Sequence, residues 1–163
     1  MNYVLSYLTL AVLFVLQTTL GRYIDICGIA PDIIFVYILC YSMYNYPVRA
    51  AVLSIIAGII VDLYSSTHVG LNALLYMYIG LAVSNFASTL MKKNVWTVAL
   101  GVVVLSILYH TVVLITQYVI AGHSGFVYPF VRIALPTAVY DGVVSLVLSL
   151  WAQWLSMDKI RGL

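Results

Sequence analysis

The sequence contains no glutamate, and only 7% of its 163 residues are charged. A soluble domain carries roughly a quarter charged residues, so this chain cannot clothe a water-facing surface. Its net charge of +2 is the balance of seven basic and five acidic residues, and the basic ones are scattered near helix ends, which argues against a nucleic-acid face. Cysteine is scarce too, with Cys27 in a loop and Cys40 deep in an apolar run. If that run is helical the two lie too far apart to bridge, and both are expected as free thiols. What remains is 64% hydrophobic, with a mean hydropathy of +1.10. That composition belongs in a bilayer, and we expect one transmembrane domain over residues 1–163 with no separate extramembrane domain.

Six apolar runs follow in order: Tyr3 to Leu20, Pro31 to Tyr46, Val48 to Tyr64, Leu71 to Met91, Val95 to Ile120, and Pro129 to Met157. The first lacks a basic leader and a small-residue cleavage site, so it reads as a retained helix. Pro31 suits a first helical position, and Asp32 behind it would meet the positive end of the helix dipole. Asn45-Tyr46-Pro47 breaks the chain between runs two and three. Pro136 predicts a kink inside run six. The expected fold is therefore all-α, a polytopic bundle of six transmembrane helices.

Six helices place both termini on one side. With the termini inside, Arg49, Lys92, Lys93, Lys159 and Arg161 fall on inner segments, while Arg22 and Arg132 fall on outer ones. The positive-inside rule then predicts cytoplasmic termini.

Carboxylates inside apolar runs need a reason, because a charge facing lipid costs several kcal/mol. Asp62 ends a stripe of small residues, Ala50, Ser54, Ala57 and Gly58, at helical spacing. Such stripes let helix backbones approach closely in lipid. Asp62 is expected to anchor a polar cluster with Asn72, or to cap the turn through Ser65, Ser66 or Thr67. Asp141 sits within run six, followed by Ser145 and Ser149, and His110 on run five is a plausible partner for an interhelical bond. A second small stripe, Ala73, Met77, Gly80 and Ser84, reads as a packing face.

The three histidines, His68, His110 and His123, lie on separate segments and do not make a zinc set. No phosphate-binding loop, dinucleotide fingerprint or nucleophile triad occurs at informative spacing. The expectation is a protein without cofactor, metal or catalytic centre.

The residues also carry a resemblance. Pro31-Asp32 opens run two, Gly58-x-x-x-Asp62-Leu63-Tyr64-Ser65 closes run three, and Gly70-Leu71-Asn72-Ala73-Leu74 opens run four. In a short apolar chain this block resembles the bacterial rod shape-determining MreD family. The resemblance implies a non-enzymatic component of the cell-elongation machinery in the bacterial plasma membrane. It implies partners as well: the bitopic MreC, the filament protein MreB, and the enzymes of lateral peptidoglycan synthesis. Helices five and six match only in character, so Asp141 and His110 inherit no role from it.

The family is similar in helix number and size to the S-components of energy-coupling-factor transporters. That gives an alternative, a transporter subunit binding a small molecule among Asp32, Asp62, His68, Asn72 and Tyr128. A proton-coupled carrier would need Asp141 or Asp62 in a water-filled path, and the sequence shows no inverted repeat to encourage that reading. The expected structural and interaction residues are Pro31, Asp32, Gly58, Asp62, Gly70, Asn72 and Asp141.

Overall fold

A computed structural model describes residues 3–20, 31–65, 70–90, 95–121 and 130–157. The helices are α1 (Tyr3–Leu20), α2 (Ile33–Tyr44), α3 (Pro47–Ser65), α4 (Leu71–Leu90), α5 (Val95–Ala121) and α6 (Leu135–Met157). A π-helical turn, Phe130–Ala134, leads into α6. The described residues are helical or lie in short connections, and the chain is an all-α integral membrane protein. Three apolar windows, Pro47–Tyr64, Val98–Thr116 and Phe130–Ser149, are long enough to cross a bilayer, while those of α1, α2 and α4 are shorter.

Two helical hairpins, α3–α4 and α5–α6, embrace α2, and α1 lies against α2 at the margin. Every residue of α2 from Ile34 to Met43 is buried, as expected of a helix that is apolar on all sides. The two hairpins are close-packed for a reason visible in their sequences. A Cβ at Gly58 would fall within 2.6 Å of the Ala73 nitrogen and 2.8 Å of the Asn72 carbonyl carbon. A Cβ at Gly80 would meet the Ser54 side chain, and one at Gly142 the side chain of Val103. The small stripes of α3 and α4 therefore face each other, which brings backbones together where lipid supplies no hydrophobic drive.

Two expectations about helix starts are corrected. Asp32 is the N-cap of α2, with φ −89° and ψ 81°, and not a member of its first turn. Its carboxylate accepts the Phe35 N–H, which requires the non-helical backbone of a cap. Pro31 consequently precedes the cap and is buried there, while Pro47 holds the first helical position of α3. Run six opens with a π-helical turn and continues as α-helix from Leu135 to Met157. Pro136 lacks the N–H that would bond one turn back, and the chain resolves this with the π-turn just ahead of it. The segments holding Cys27, His68, His123 and Tyr128 lie outside the described residues; Cys40 is free and buried.

Candidate functional site: two capped helix starts inside the bundle

The first four N–H groups of any helix lack intrahelical partners. In water this is harmless, but inside a bilayer each unsatisfied group costs several kcal/mol. Both α2 and α4 begin inside the bundle. With α2 only 12 residues long, it spans about 18 Å, well short of a hydrocarbon core of roughly 30 Å. At 1.5 Å per residue, Asp62 lies about 22 Å from the Pro47 end of α3, and Tyr109 about 21 Å from the Val95 end of α5. Both sit at one level, termed the upper level below, where α1 and α3 end and α2 and α4 begin.

The start of α4 is capped by one residue from the preceding helix. Asp62 is 1% exposed. Its Oδ2 accepts the N–H groups of Gly70 (2.9 Å) and Ala73 (3.1 Å), and its Oδ1 accepts that of Asn72 (3.2 Å). The first intrahelical bond, Leu74 N–H to the Gly70 carbonyl, begins immediately beyond. Three of the four orphan donors thus end on a single carboxylate, which also meets the positive end of the α4 dipole. The bonds run to backbone across the interhelical turn. Of the turn residues expected as partners, Ser65 ends α3, and Ser66 and Thr67 lie outside the described residues. Gly70 holds φ +102° with open space around it, so it is needed for its conformation, whereas Gly58 is needed for its size.

The start of α2 is capped by three residues from three helices or their ends. The N–H of Asp32 donates to Asp141 Oδ1 of α6 (2.8 Å). That of Ile34 donates to Gln17 Oε1 of α1 (2.9 Å), and that of Phe35 to Asp32 Oδ1 (3.1 Å). Gln17 closes its own loop by donating from Nε2 to Asp32 Oδ1 (3.3 Å). The other oxygen of Asp32 accepts the hydroxyl of Tyr76 from α4 (3.0 Å). Asp141, fully buried, also accepts the Ser106 hydroxyl of α5. His110 Nε2 stands 3.6 Å from the same carboxylate oxygen and makes no hydrogen bond among the described residues.

An aromatic layer joins the two caps. Phe35 of α2 stacks on Tyr109 of α5 with centroids 4.7 Å apart, and Tyr76 lies 5.3 Å from Tyr109. Tyr109 donates to Asn72 Oδ1 (2.7 Å). The two hydroxyls approach to 3.4 Å, but each proton already has a better acceptor, since Tyr76 donates to Asp32.

The expected residues Asp32, Asp62, Asn72 and Asp141 are therefore brought together, with Gly58 and Gly70 shaping the α3–α4 turn beside them. Sequence reasoning passed over Gln17, Tyr76, Ser106 and Tyr109. Gln17 carried a usable signal, being a lone amide in an apolar helix. Tyr76 and Tyr109 carried none, because tyrosines are common in this chain. Chemically the carboxylates accept hydrogen bonds from donors fixed in the bundle, most of them backbone N–H groups of helix starts. No group of three metal-ligating side chains occurs among the described residues.

Neither the curated proteins nor the solved structures gave a match to the chain. A family model does match, that of the rod shape-determining protein MreD, over residues 1–159. With nearly its whole length covered, the chain belongs to the MreD family, the rod shape-determining membrane proteins.

Proposed function

We propose that this protein is a non-enzymatic membrane scaffold of the cell-elongation machinery. In this reading it associates with an MreC-like bitopic protein, acts alongside MreB, and supports lateral peptidoglycan synthesis. The observation that carries the reading is the family match over residues 1–159. The geometry supports it from a different direction. The carboxylates that would otherwise advertise an ion or substrate site spend their hydrogen-bonding capacity on helix starts.

All six helices cross the membrane in this proposal, with the termini in the cytoplasm and the upper level near the outer face. The short α2 is then held at depth by its neighbours. The chain forms one domain. Pro31, Asp32, Gly58, Asp62, Gly70, Asn72 and Asp141 serve it by fixing the upper end of the bundle. Partner helices would meet the apolar outer faces, such as Val4, Leu8 and Val15 of α1, all exposed in the isolated chain.

The test is purification of the tagged protein from native membranes in mild detergent, with mass spectrometry of what accompanies it. An MreC-like protein together with wall-synthesis enzymes is the expected result. Recovery instead of a transporter subunit with two ATPases, or of a stoichiometric small molecule, would overturn the scaffold reading in favour of an S-component-like one.

A further inference from the structure

We propose that the bundle is stepped at its upper end, and that the upper leaflet of the membrane thins where it meets α3 and α4 while keeping its full depth along α5 and α6. The partner that this surface fits is the lipid itself. This goes beyond the scaffold reading and does not depend on which proteins bind or on which side faces the cytoplasm.

The helix ends give the first observation. Asn72 donates its N–H to Asp62 and accepts the Tyr109 hydroxyl, which ties the level of α5 to that of α3. The bond from the Asp32 N–H to Asp141 ties α6 to the same level. Downward from there α3 and α5 run almost equally far, about 22 Å to Pro47 and about 21 Å to Val95. Upward they differ. α3 ends at Ser65, less than a turn past Asp62, and α4 begins at Leu71. α5 continues from Tyr109 to Ala121, about 18 Å further. α6 comes down from that height, through the π-turn Phe130–Ala134, before it reaches Asp141.

The exposed apolar faces give the second. On α3 that face consists of Val48, Val52, Ile56, Ile59 and Leu63, with exposed tyrosines at its two ends, Tyr46 and Tyr64. It is about 22 Å tall, and the sequence turns polar directly beyond it, at Ser65-Ser66-Thr67-His68. On α5 the exposed side chains Trp96, Leu100, Val104, Leu108, Val112 and Ile115 succeed one another every three or four residues over about 28 Å. Most of this row lies within the membrane-crossing window Val98–Thr116. Its part above Tyr109 continues the part below without a break, so the same acyl chains cover both. On α6, Val131, Leu135 and Val139 are exposed above Asp141 in the same way. A hydrocarbon core of roughly 30 Å fits the α5 face and exceeds the α3 face by about 8 Å. Because α3 and α5 end almost level below, the shortfall falls at the top. A bilayer meets a short apolar face by thinning. Thinning there also brings the half-buried Asp32 and Asn72 close to the headgroups.

The test is the membrane depth of single fluorophores on exposed positions, read by quenching with phosphatidylcholines spin-labelled at the headgroup or at mid-chain. It uses the full chain carrying Cys27→Ser in phosphatidylcholine nanodiscs, with Cys40 left in place because it is buried. Leu63→Cys on α3 and Leu108→Cys on α5 share one level in the fold, each beside a residue of the upper cluster, and both are exposed. The step predicts that they differ in depth: Leu63 is quenched best from the headgroup, and Leu108, about 9 Å deeper below the local surface, from mid-chain. Val52→Cys and Leu100→Cys form the matching exposed pair near the lower ends, and the step predicts equal depths there. Equal depths for Leu63 and Leu108 would overturn the proposal. A split at both pairs, in opposite order, would show a tilted bundle in a flat membrane and would overturn it equally.

Discussion

The starts of α2 and α4 solve one physical problem in two ways. Each is a helix start whose free N–H donors are taken up by side chains packed against it. At α4 a single carboxylate, Asp62, takes three N–H groups, and it comes from the helix immediately before. At α2 the donors are shared among Asp141, Gln17 and Asp32, drawn from the far end of the sequence, from α1 and from the cap itself. The α4 cap is local, so the α3–α4 hairpin can form as soon as those two helices exist. The α2 cap is complete only when α1 and α6 have both arrived. Concentrated capping makes a rigid building block; distributed capping makes a joint whose completion reports assembly of the whole bundle.

That contrast can be broken most severely at Asp62. Asp62→Ala strands three buried donors at once, and with about 1–3 kcal/mol for each buried unsatisfied group, a loss of about 4 kcal/mol or more is expected. Thermal unfolding in detergent, read by fluorescence size-exclusion chromatography, should find little folded protein. Gly58→Ala attacks the same hairpin through space. The added carbon meets backbone of Asn72 and Ala73, which has no rotamer to change, so a loss of about 2–3 kcal/mol follows, visible as a clear drop in melting temperature. Asp141→Ala should cost less than Asp62→Ala, about 2 kcal/mol, because Gln17 and Asp32 continue to serve α2. Gln17→Leu is the mildest, about 1 kcal/mol, and its effect should fall chiefly on α1. Protease sensitivity at the α1–α2 connection would rise in that variant while the α3–α4 hairpin stays intact. Equal losses for Asp62→Ala and Gln17→Leu would erase the distinction between the two caps.

Much of this was legible in the sequence, and the unread part has a physical pattern. Runs of apolar residues bounded by Pro, Gly and Asn gave six helices with ends close to those found. The stripes Ala50-Ser54-Gly58 and Ala73-Gly80 predicted a close crossing, because small side chains at a spacing of three or four have few other uses in lipid. The helix pairing that surrounds α2 was not legible, since a helix apolar on every face carries no directional signal. Nor was the bond between Asp32 and Asp141, whose partners are 109 residues apart. Asp32 does lie at the start of α2, but two positions earlier in the helix than the sequence predicts, at the cap and not at the second helical position. A cap and a first-turn acid look alike in sequence, and only the backbone conformation separates them. Tyr109 was invisible for another reason: its role rests on a hydroxyl that reaches Asn72 across the gap between hairpins.

The central claim is that the carboxylates within the bundle are there to cap helix starts. Amide hydrogen exchange of the full chain in nanodiscs, resolved to single residues by NMR, tests it most directly. The account predicts strong protection of the Gly70, Asn72 and Ala73 amides in the wild type. In Asp62→Asn, which retains the shape of the side chain but weakens it as an acceptor, those three amides should exchange at least tenfold faster while Ile34 and Phe35 keep their protection. Unchanged exchange at Gly70, Asn72 and Ala73 in that variant would contradict it.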